Sequence, residues 1–162
     1  MKKLIFLLVF AIFGGSQLTL AQGFSSSGGS SIGFRFGNEQ GISYKQHIGG
    51  GAAIEGILSA RNWSTNVTVL YHLFHKPTGW TPGMDWFVGA GGHAWFYNRG
   101  NRDFPGYTGG LGIGVDGAVG LQYNFADVPF NASLDWKPAF NLIGGSYFQG
   151  GGFGLSIRFR FK

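Results

Sequence analysis

One short stretch of the chain matches a nucleotide-binding fingerprint. Residues 112–117 read Gly-Ile-Gly-Val-Asp-Gly, which has the G-x-G-x-x-G spacing of a dinucleotide-binding turn. The fingerprint binds a pyrophosphate only where a strand ends and a helix begins. Here the glycines lie inside a run in which small and apolar residues alternate. The pattern therefore favours small residues on one face of a strand, and we predict no nucleotide cofactor.

Four histidines offer nitrogen ligands for a metal ion. His72 and His75 are three residues apart, which places their side chains on opposite faces of a strand. His72 and His93 could instead meet across neighbouring strands, and this pair stays open as an alternative. The chain has no cysteine, so it has no thiolate ligand and no disulfide. We expect these histidines to form hydrogen bonds and predict no metal site.

Serine, histidine and aspartate side chains could form a hydrolytic site if they came into contact. Such a site needs a nucleophile, a base and a carboxylate that orients the base. The candidates that share one predicted face are Ser59, Ser133, Ser156, His72, His93, Asp116 and Asp135. No G-x-S-x-G or comparable signature accompanies them. We predict no catalytic residue and keep a lipid-modifying enzyme as an alternative.

These side chains belong to segments in which apolar residues recur at every second position. In the C-terminal segment Phe153, Leu155 and Ile157 alternate with glycine and serine, and Phe159 and Phe161 alternate with arginine. Such alternation is typical of a strand with one apolar face. The same template predicts eight strands, at about 30–37, 41–48, 52–61, 64–75, 85–97, 111–125, 130–137 and a last strand that ends the chain.

The composition favours a membrane barrel over a soluble domain. Only 12% of the residues are charged, against about 25% in a typical soluble domain. No segment after the N-terminal region has the 18 consecutive apolar residues of a membrane helix. A closed barrel satisfies every backbone group by pairing between strands, so it can cross a bilayer without helices. We predict an all-β fold, a single antiparallel up-and-down transmembrane barrel.

The first 21 residues have the features of a secretory signal peptide. Lys2 and Lys3 precede an apolar run from Leu4 to Phe13, and Ala21 precedes an expected cut at Gln22. We therefore expect a cleaved signal at 1–21, a short segment at 22–29 and the barrel at 30–162. Without Lys2 and Lys3 the basic residues fall from 12 to 10 against 7 acidic ones, a formal charge of +3. This charge does not indicate nucleic-acid binding.

The glycine-rich face of the strands is expected to point into the barrel. A water-facing surface made mostly of glycine would be neither soluble nor stable. An eight-stranded barrel is wide enough only for side chains to fill it, and inward glycines leave room for long ones. We predict a paired ionic cluster in the lumen, structural in role, formed by Arg35, Lys45, Glu55, Arg61, Asp116, Asp135, Lys137, Arg158 and Arg160.

With these features, the chain resembles the small outer-membrane β-barrel proteins of the OmpX and OmpA-barrel type. The stretches that carry the resemblance over residues 30–162 are GISYKQHI, AAIEGIL, WFVGAGGHA, GVDGAVGLQYNF and SLDWKPAFNLIGG. The resemblance implies a location in the outer membrane. It also implies that Phe161 is a signal for the barrel-insertion machinery, although Lys162 follows it.

The sequence thus predicts a monomeric outer-membrane protein with a structural or interaction role, contacting lipid and no nucleic acid. The long connections at 98–110 and 138–149 are assigned to the cell surface, because extracellular loops are the longer ones in such barrels. The alternatives are a narrow solute passage, a lipid-modifying barrel enzyme and a soluble periplasmic carrier. A carrier would have the opposite arrangement, with an apolar interior and a charged exterior.

Overall fold

Eight strands, each hydrogen-bonded to the next and the last to the first, form a closed antiparallel barrel in the computed structural model. The structure describes residues 29–61, 64–77, 79–97, 110–143 and 148–161. Among these residues no helix is long and apolar enough to cross a membrane. The strands are β1 Ser30–Gly37, β2 Gln40–Gly49, β3 Ala52–Arg61, β4 Ser64–His75, β5 Met84–Tyr97, β6 Gly110–Asn124, β7 Phe130–Ile143 and β8 Phe148–Phe161.

The predicted fold class is confirmed, but the predicted loop at 138–149 is wrong. β7 continues to Ile143 and β8 begins at Phe148, so only 144–147, outside the described residues, connect them. The alternation persists through this stretch, with Asn141 buried and Phe140 exposed. Pro138 lies where the β7–β8 register shifts, and a proline is tolerated at such an irregularity because no ladder hydrogen bond is lost there.

The strand order fixes which connections share an end of the barrel. Ser30 and Phe161 pair with each other, so the start of β1 and the end of β8, the termini of the barrel, lie at one end, together with the β2–β3, β4–β5 and β6–β7 connections. The β2–β3 turn is Gly50–Gly51, and both residues have positive φ, as a tight two-residue hairpin requires. Strand β5 ends and β6 begins at the opposite end. The predicted loop at 98–110 lies outside the described residues except for Gly110, which begins β6.

The outer surface of the barrel is apolar and its interior is polar and charged. Large apolar side chains such as Phe34, Val69, Leu134 and Phe153 are exposed on the outside. The fully buried side chains include Arg158 and Lys45. In β5, where the register was hardest to read from sequence, His93 and Trp95 face inward as predicted. The described residues therefore have the reverse of the arrangement expected for a soluble carrier.

Inward glycines allow neighbouring strands and long side chains to approach closely. A Cβ added at Gly91 would overlap the backbone of Val69 and Leu70 on β4. A Cβ at Gly154 would overlap the guanidinium of Arg35, which lies over this glycine. The outward Gly56 differs, because an added Cβ there would meet no atom within 4 Å. The inward positions therefore require glycine for space.

Replacing Gly91 with alanine is expected to destabilise the barrel by about 1–3 kcal/mol, the usual cost of forcing an extra carbon into a packed interior. Gly56→Ala is the matched control and should change stability by less than about 0.5 kcal/mol. Urea unfolding of the refolded protein, followed by tryptophan fluorescence, measures both. Equal effects of the two substitutions would contradict the packing role of Gly91.

Candidate functional site

The middle of the lumen is occupied by a hydrogen-bonded ionic network centred on Glu55. One carboxylate oxygen lies 3.1 Å from Lys45 Nζ, and the other accepts from the guanidinium of Arg158. Ser43 donates to Glu55 at 2.6 Å and accepts from Arg158 Nε at 2.7 Å. Arg158 also donates to Ser133 at 2.8 Å. The network therefore ties β2 and β3 to β7 and β8 across the lumen.

Strand register places these groups together. Lys45 and Glu55 are direct partners in the β2–β3 ladder, and both point inward because alternate residues of a strand face the same side. On the far wall, Gln122 of β6 accepts a hydrogen bond from Lys45 at 3.3 Å. All three side chains are almost completely buried. Buried charges are tolerated only when paired and hydrogen-bonded, and this network meets both conditions.

A second ion pair lies nearer the end opposite to the termini. Arg35 of β1 donates to both carboxylate oxygens of Asp135 on β7, at 2.7 and 2.6 Å. This two-pronged geometry is the strongest form of arginine–carboxylate contact. The pair crosses above Gly154 of β8, the strand between them, which explains why that position has no side chain. Arg35 and Asp135 therefore tie β1 to β7 directly.

A third group closes the lumen at the same end. Lys137 lies 3.2 Å from Asp116 and 3.4 Å from Glu39. Glu39 belongs to the turn between β1 and β2, so a turn residue reaches back over the lumen. Nδ1 of His93 lies 2.8 Å from the Asp116 carboxylate, and Nε2 of His93 lies 2.8 Å from the side-chain oxygen of Asn141. These contacts join the turn to β5, β6 and β7.

The lumen also contains an apolar cluster that sequence reasoning did not find. Ile57, Leu70, Phe87 and Ala118 pack together with Phe74 at their edge. Ile57, Leu70 and Phe87 are on the inward faces of β3, β4 and β5. The sequence signal that could have revealed the cluster is an apolar residue at an inward position of each of these three consecutive strands.

Charged and aromatic groups meet at the boundary of this apolar cluster. Lys45 Nζ lies 4.8 Å from the ring centre of Phe87 and 5.2 Å from that of Phe74, distances suited to a cation–π contact. The ring of His72 stacks on Phe87 with 4.7 Å between ring centres. His72 Nε2 is 3.5 Å from Glu55, and neither ring nitrogen has a hydrogen-bond partner within the described part of the chain. His72 is thus packed mainly as an aromatic ring.

The structure brings together most of the residues predicted for the lumen cluster and separates others. Those that form ion pairs in the lumen are Arg35, Lys45, Glu55, Asp116, Asp135, Lys137 and Arg158. Arg160 is a correction, because it donates to the carbonyl oxygens of Phe125 and Val128 at 2.7 and 3.2 Å. It lies at the end of the barrel and takes part in none of the ion pairs of the described residues. The side chain of Arg61 lies outside the described residues.

Phe161 is the last residue of β8, and its ring faces outward. Its ring centre lies 6.4 Å from that of Tyr44 on β2. The position is at the end of the barrel that carries both termini, where the first and last strands meet. Its predicted role as a signal for the barrel-insertion machinery concerns assembly of the barrel and stays a prediction.

The strand register bears on two alternatives from the sequence, a metal site at His72 and His93 and a nucleotide-binding turn at residues 112–117. His72 pairs with Gly89 in the β4–β5 ladder, four residues before His93, so the two rings sit about 13 Å apart along the strands. They do not converge on one metal ion. Residues 112–117 lie in the interior of β6, away from any strand-to-helix junction, which contradicts the nucleotide-binding interpretation.

The hydrolytic alternative lacks its nucleophile in the described part of the chain. His93 and Asp116 have the geometry of a base and its orienting carboxylate, but Nε2 of His93 is bonded to Asn141 and not to a serine. Ser133 accepts from Arg158, and Ser156 accepts from Arg35 at 3.4 Å. Ser59 donates to Glu39 at 3.2 Å. These serines therefore form hydrogen bonds with the charged side chains of the lumen.

An apolar exterior, a charged interior and eight meandering strands define the architecture of the small outer-membrane β-barrels. The N-terminal β-barrel domain of Pseudomonas aeruginosa OprF has this fold, with a TM-score of 0.60, 17% identity, and 83% of this chain and 98% of that domain covered. Neisserial surface protein A, NspA, has it with a TM-score of 0.51, 10% identity, and 83% and 95% covered.

At these identities the likeness shows the fold and no more. No protein-family model matches the chain, and no curated protein matches it in sequence. The predicted resemblance to small outer-membrane barrels is confirmed at the level of architecture.

Removing the charge of Glu55 is expected to destabilise the barrel by about 3–5 kcal/mol, because Glu55→Gln leaves Lys45 and Arg158 buried without their shared carboxylate. Glu39→Gln removes the same charge from the lumen mouth, where solvent access is greater, and should cost less than half as much. Urea unfolding midpoints measure both variants. A smaller loss for Glu55→Gln than for Glu39→Gln would show that the central network is not the dominant one.

Proposed function

We propose that the protein is an integral outer-membrane β-barrel of a Gram-negative envelope, with a structural or interaction role. The single observation that carries this proposal is the combination of an apolar exterior with a lumen filled by paired charges. An exterior of this kind needs lipid around it, and a filled lumen leaves no evident route for a solute.

The exterior supports lipid as the main partner. Apolar side chains are exposed on strands all around the wall. Aromatic contacts occur near both ends of the barrel. Tyr44 lies beside Phe161, and Tyr123 is edge-on to Phe125 at 4.9 Å, at the end that carries the termini, whereas Phe140 lies 4.7 Å from Phe148 near the other end. Aromatic rings suit the boundary between lipid tails and headgroups. The end that carries the termini and the short β2–β3 and β6–β7 turns is proposed to lie at the periplasmic face, since periplasmic turns are the short ones in such barrels.

The interior supports a closed barrel over a solute passage. The Glu55 network, the Arg35–Asp135 pair and the Lys137 group lie at successive levels of the lumen. The apolar cluster around Phe87 adds a water-excluding layer. A solute would have to separate buried ion pairs, and an unpaired buried charge is strongly unfavourable. We therefore favour a structural or interaction role over transport. We also favour it over catalysis, because no serine among the described residues contacts His93.

Biogenesis and assembly complete the proposal. A signal peptide at 1–21 would direct export, and Phe161 at the end of β8 would be read by the barrel-insertion machinery. Because the strand ladder closes within one chain, a monomer satisfies its backbone without a partner. The connections at 98–109 and 144–147 would then face the cell exterior and present the interaction surface.

Fractionation of expressing cells tests the location and the barrel together. We expect the protein in the outer-membrane fraction, and we expect unboiled and boiled samples to migrate differently in detergent electrophoresis, because a folded barrel resists detergent until heated. Recovery in the soluble periplasmic fraction without a heat-dependent shift would contradict the proposal and revive a soluble carrier.

Planar-bilayer recording tests whether the lumen is closed. The refolded protein is expected to give no discrete conductance steps above the baseline of the bare bilayer, since charged and apolar side chains fill the lumen at several levels. A boiled, unfolded sample at the same concentration serves as the control. Reproducible steps with the folded protein alone would favour the solute-passage alternative.

A further inference from the structure

At the end of the lumen that carries the termini, three inward side chains have polar atoms without a hydrogen-bond partner among the residues that the structure describes. These atoms are Oγ of Ser31, both amide atoms of Asn131 and Nε of Arg160. Ser31 is 1% exposed and Asn131 is 0% exposed, so bulk water does not serve them. Buried polar groups in folded proteins almost always have a partner. A further molecule is therefore needed to complete their bonding.

Strand register brings the three side chains to one place. Ser31 is the direct partner of Arg160 in the β1–β8 ladder. On the other side of β8, the backbone N–H of Arg160 donates to the carbonyl of Pro129, two residues before Asn131 on β7. Asn131 itself is the direct partner of Arg158 in the β7–β8 ladder. Ser31, Asn131 and Arg160 therefore lie at neighbouring inward positions of three adjacent strands, and we call them the lumen corner.

The lumen corner has an excess of positive charge. Arg160 donates through Nη2 to two backbone carbonyls and is in none of the ion pairs of the described residues. The neighbouring Arg158 shares one carboxylate, Glu55, with Lys45, which leaves one more positive charge close by.

Neither carboxylate at this end forms an ion pair with Arg160 among the described residues. Asp85 is on β5, across the lumen, where its carboxylate accepts from Asn124 at 3.1 Å. Asp127 is exposed on the β6–β7 turn, between Phe125 and Val128, whose carbonyl oxygens accept from Arg160. Because solvent screens an exposed charge, Asp127 offsets the charge of Arg160 only in part.

The polar atoms at the corner are mainly donors. Nε–H of Arg160 and Nδ2–H of Asn131 donate, and the Ser31 hydroxyl donates or accepts. An arginine N–H beside a neutral donor matches the two oxygens of a planar carboxylate, and hydrogen bonds to such a charged acceptor are short and strong. The interior of an eight-stranded barrel is only wide enough for side chains to fill it, which restricts the ligand to a small one.

We propose that the lumen corner binds a small monovalent carboxylate, of the size of formate or acetate, through Arg160, Asn131 and Ser31. The site opens toward the barrel end at which Arg160 is only partly buried. The proposal requires a folded barrel but not the proposed cellular role, so the two can fail independently.

Isotope-labelled protein refolded in detergent micelles provides the test. Sodium formate is added in steps and replaces sodium benzenesulfonate, so that the ionic strength stays constant. The benzenesulfonate anion is too bulky for the corner. The side-chain N–H signals of Arg160 and Asn131 are expected to shift and saturate. The carbon-bound proton of formate is expected to show a nuclear Overhauser contact to the Asn131 amide protons in the unaltered protein.

Two variants with the same charge change separate specific binding from general attraction. Arg160→Gln is expected to weaken formate binding by about tenfold, the effect of losing a hydrogen bond to a charged group. Lys76→Gln, at an exposed position on the same end of the barrel, should bind as the unaltered protein does. Heat-dependent migration verifies that each variant is folded.

Shifts that rise linearly without saturation, or that are equal in Arg160→Gln, would overturn the proposal and assign the corner to water. If Arg160→Gln does not fold, the Overhauser contact in the unaltered protein decides the question, since its absence also overturns the proposal.

Discussion

The pairing of β1 with β8 is the constraint on which the rest of the structure depends. The ladder runs without interruption from Ser30 opposite Phe161 to Gly37 opposite Gly154. It joins the two ends of the chain and so fixes the circumference at eight strands. A barrel of that size has an interior that only side chains can fill. Every inward residue must therefore fit its neighbours in volume and in charge.

Within that limited space, glycine and long cations have complementary roles. Gly154 leaves the room that the Arg35 guanidinium occupies on its way to Asp135. Glu55 serves two cations, Lys45 and Arg158, and serines satisfy the remaining donors. Strands β3 to β6 contribute the apolar cluster in addition to ionic groups such as Glu55 and Asp116. The lumen thus combines paired charges with a compact apolar cluster.

The sequence was sufficient for the inward and outward assignment but not for the contacts. Period-two alternation predicted that Arg158 and Asp135 face the lumen, and it also placed Arg160 there. Which carboxylate each cation meets depends on the stagger between strands, and alternation contains no information about stagger. The predicted loop at 138–149 began at Pro138, although β7 continues past this residue at a shift in register. The apolar cluster was missed because its members are far apart in sequence.

By itself, the sequence determined an all-β barrel of eight strands with an apolar outside. A repeating two-residue pattern, abundant glycine and few charges are compatible with little else. Only the tertiary structure decided that Glu55 lies between Lys45 and Arg158, that Glu39 turns back over the lumen, and that Arg160 stands apart with Ser31 and Asn131. These contacts join residues separated by many positions. They arise from ring closure and strand stagger, which are properties of the whole barrel and not of any local segment.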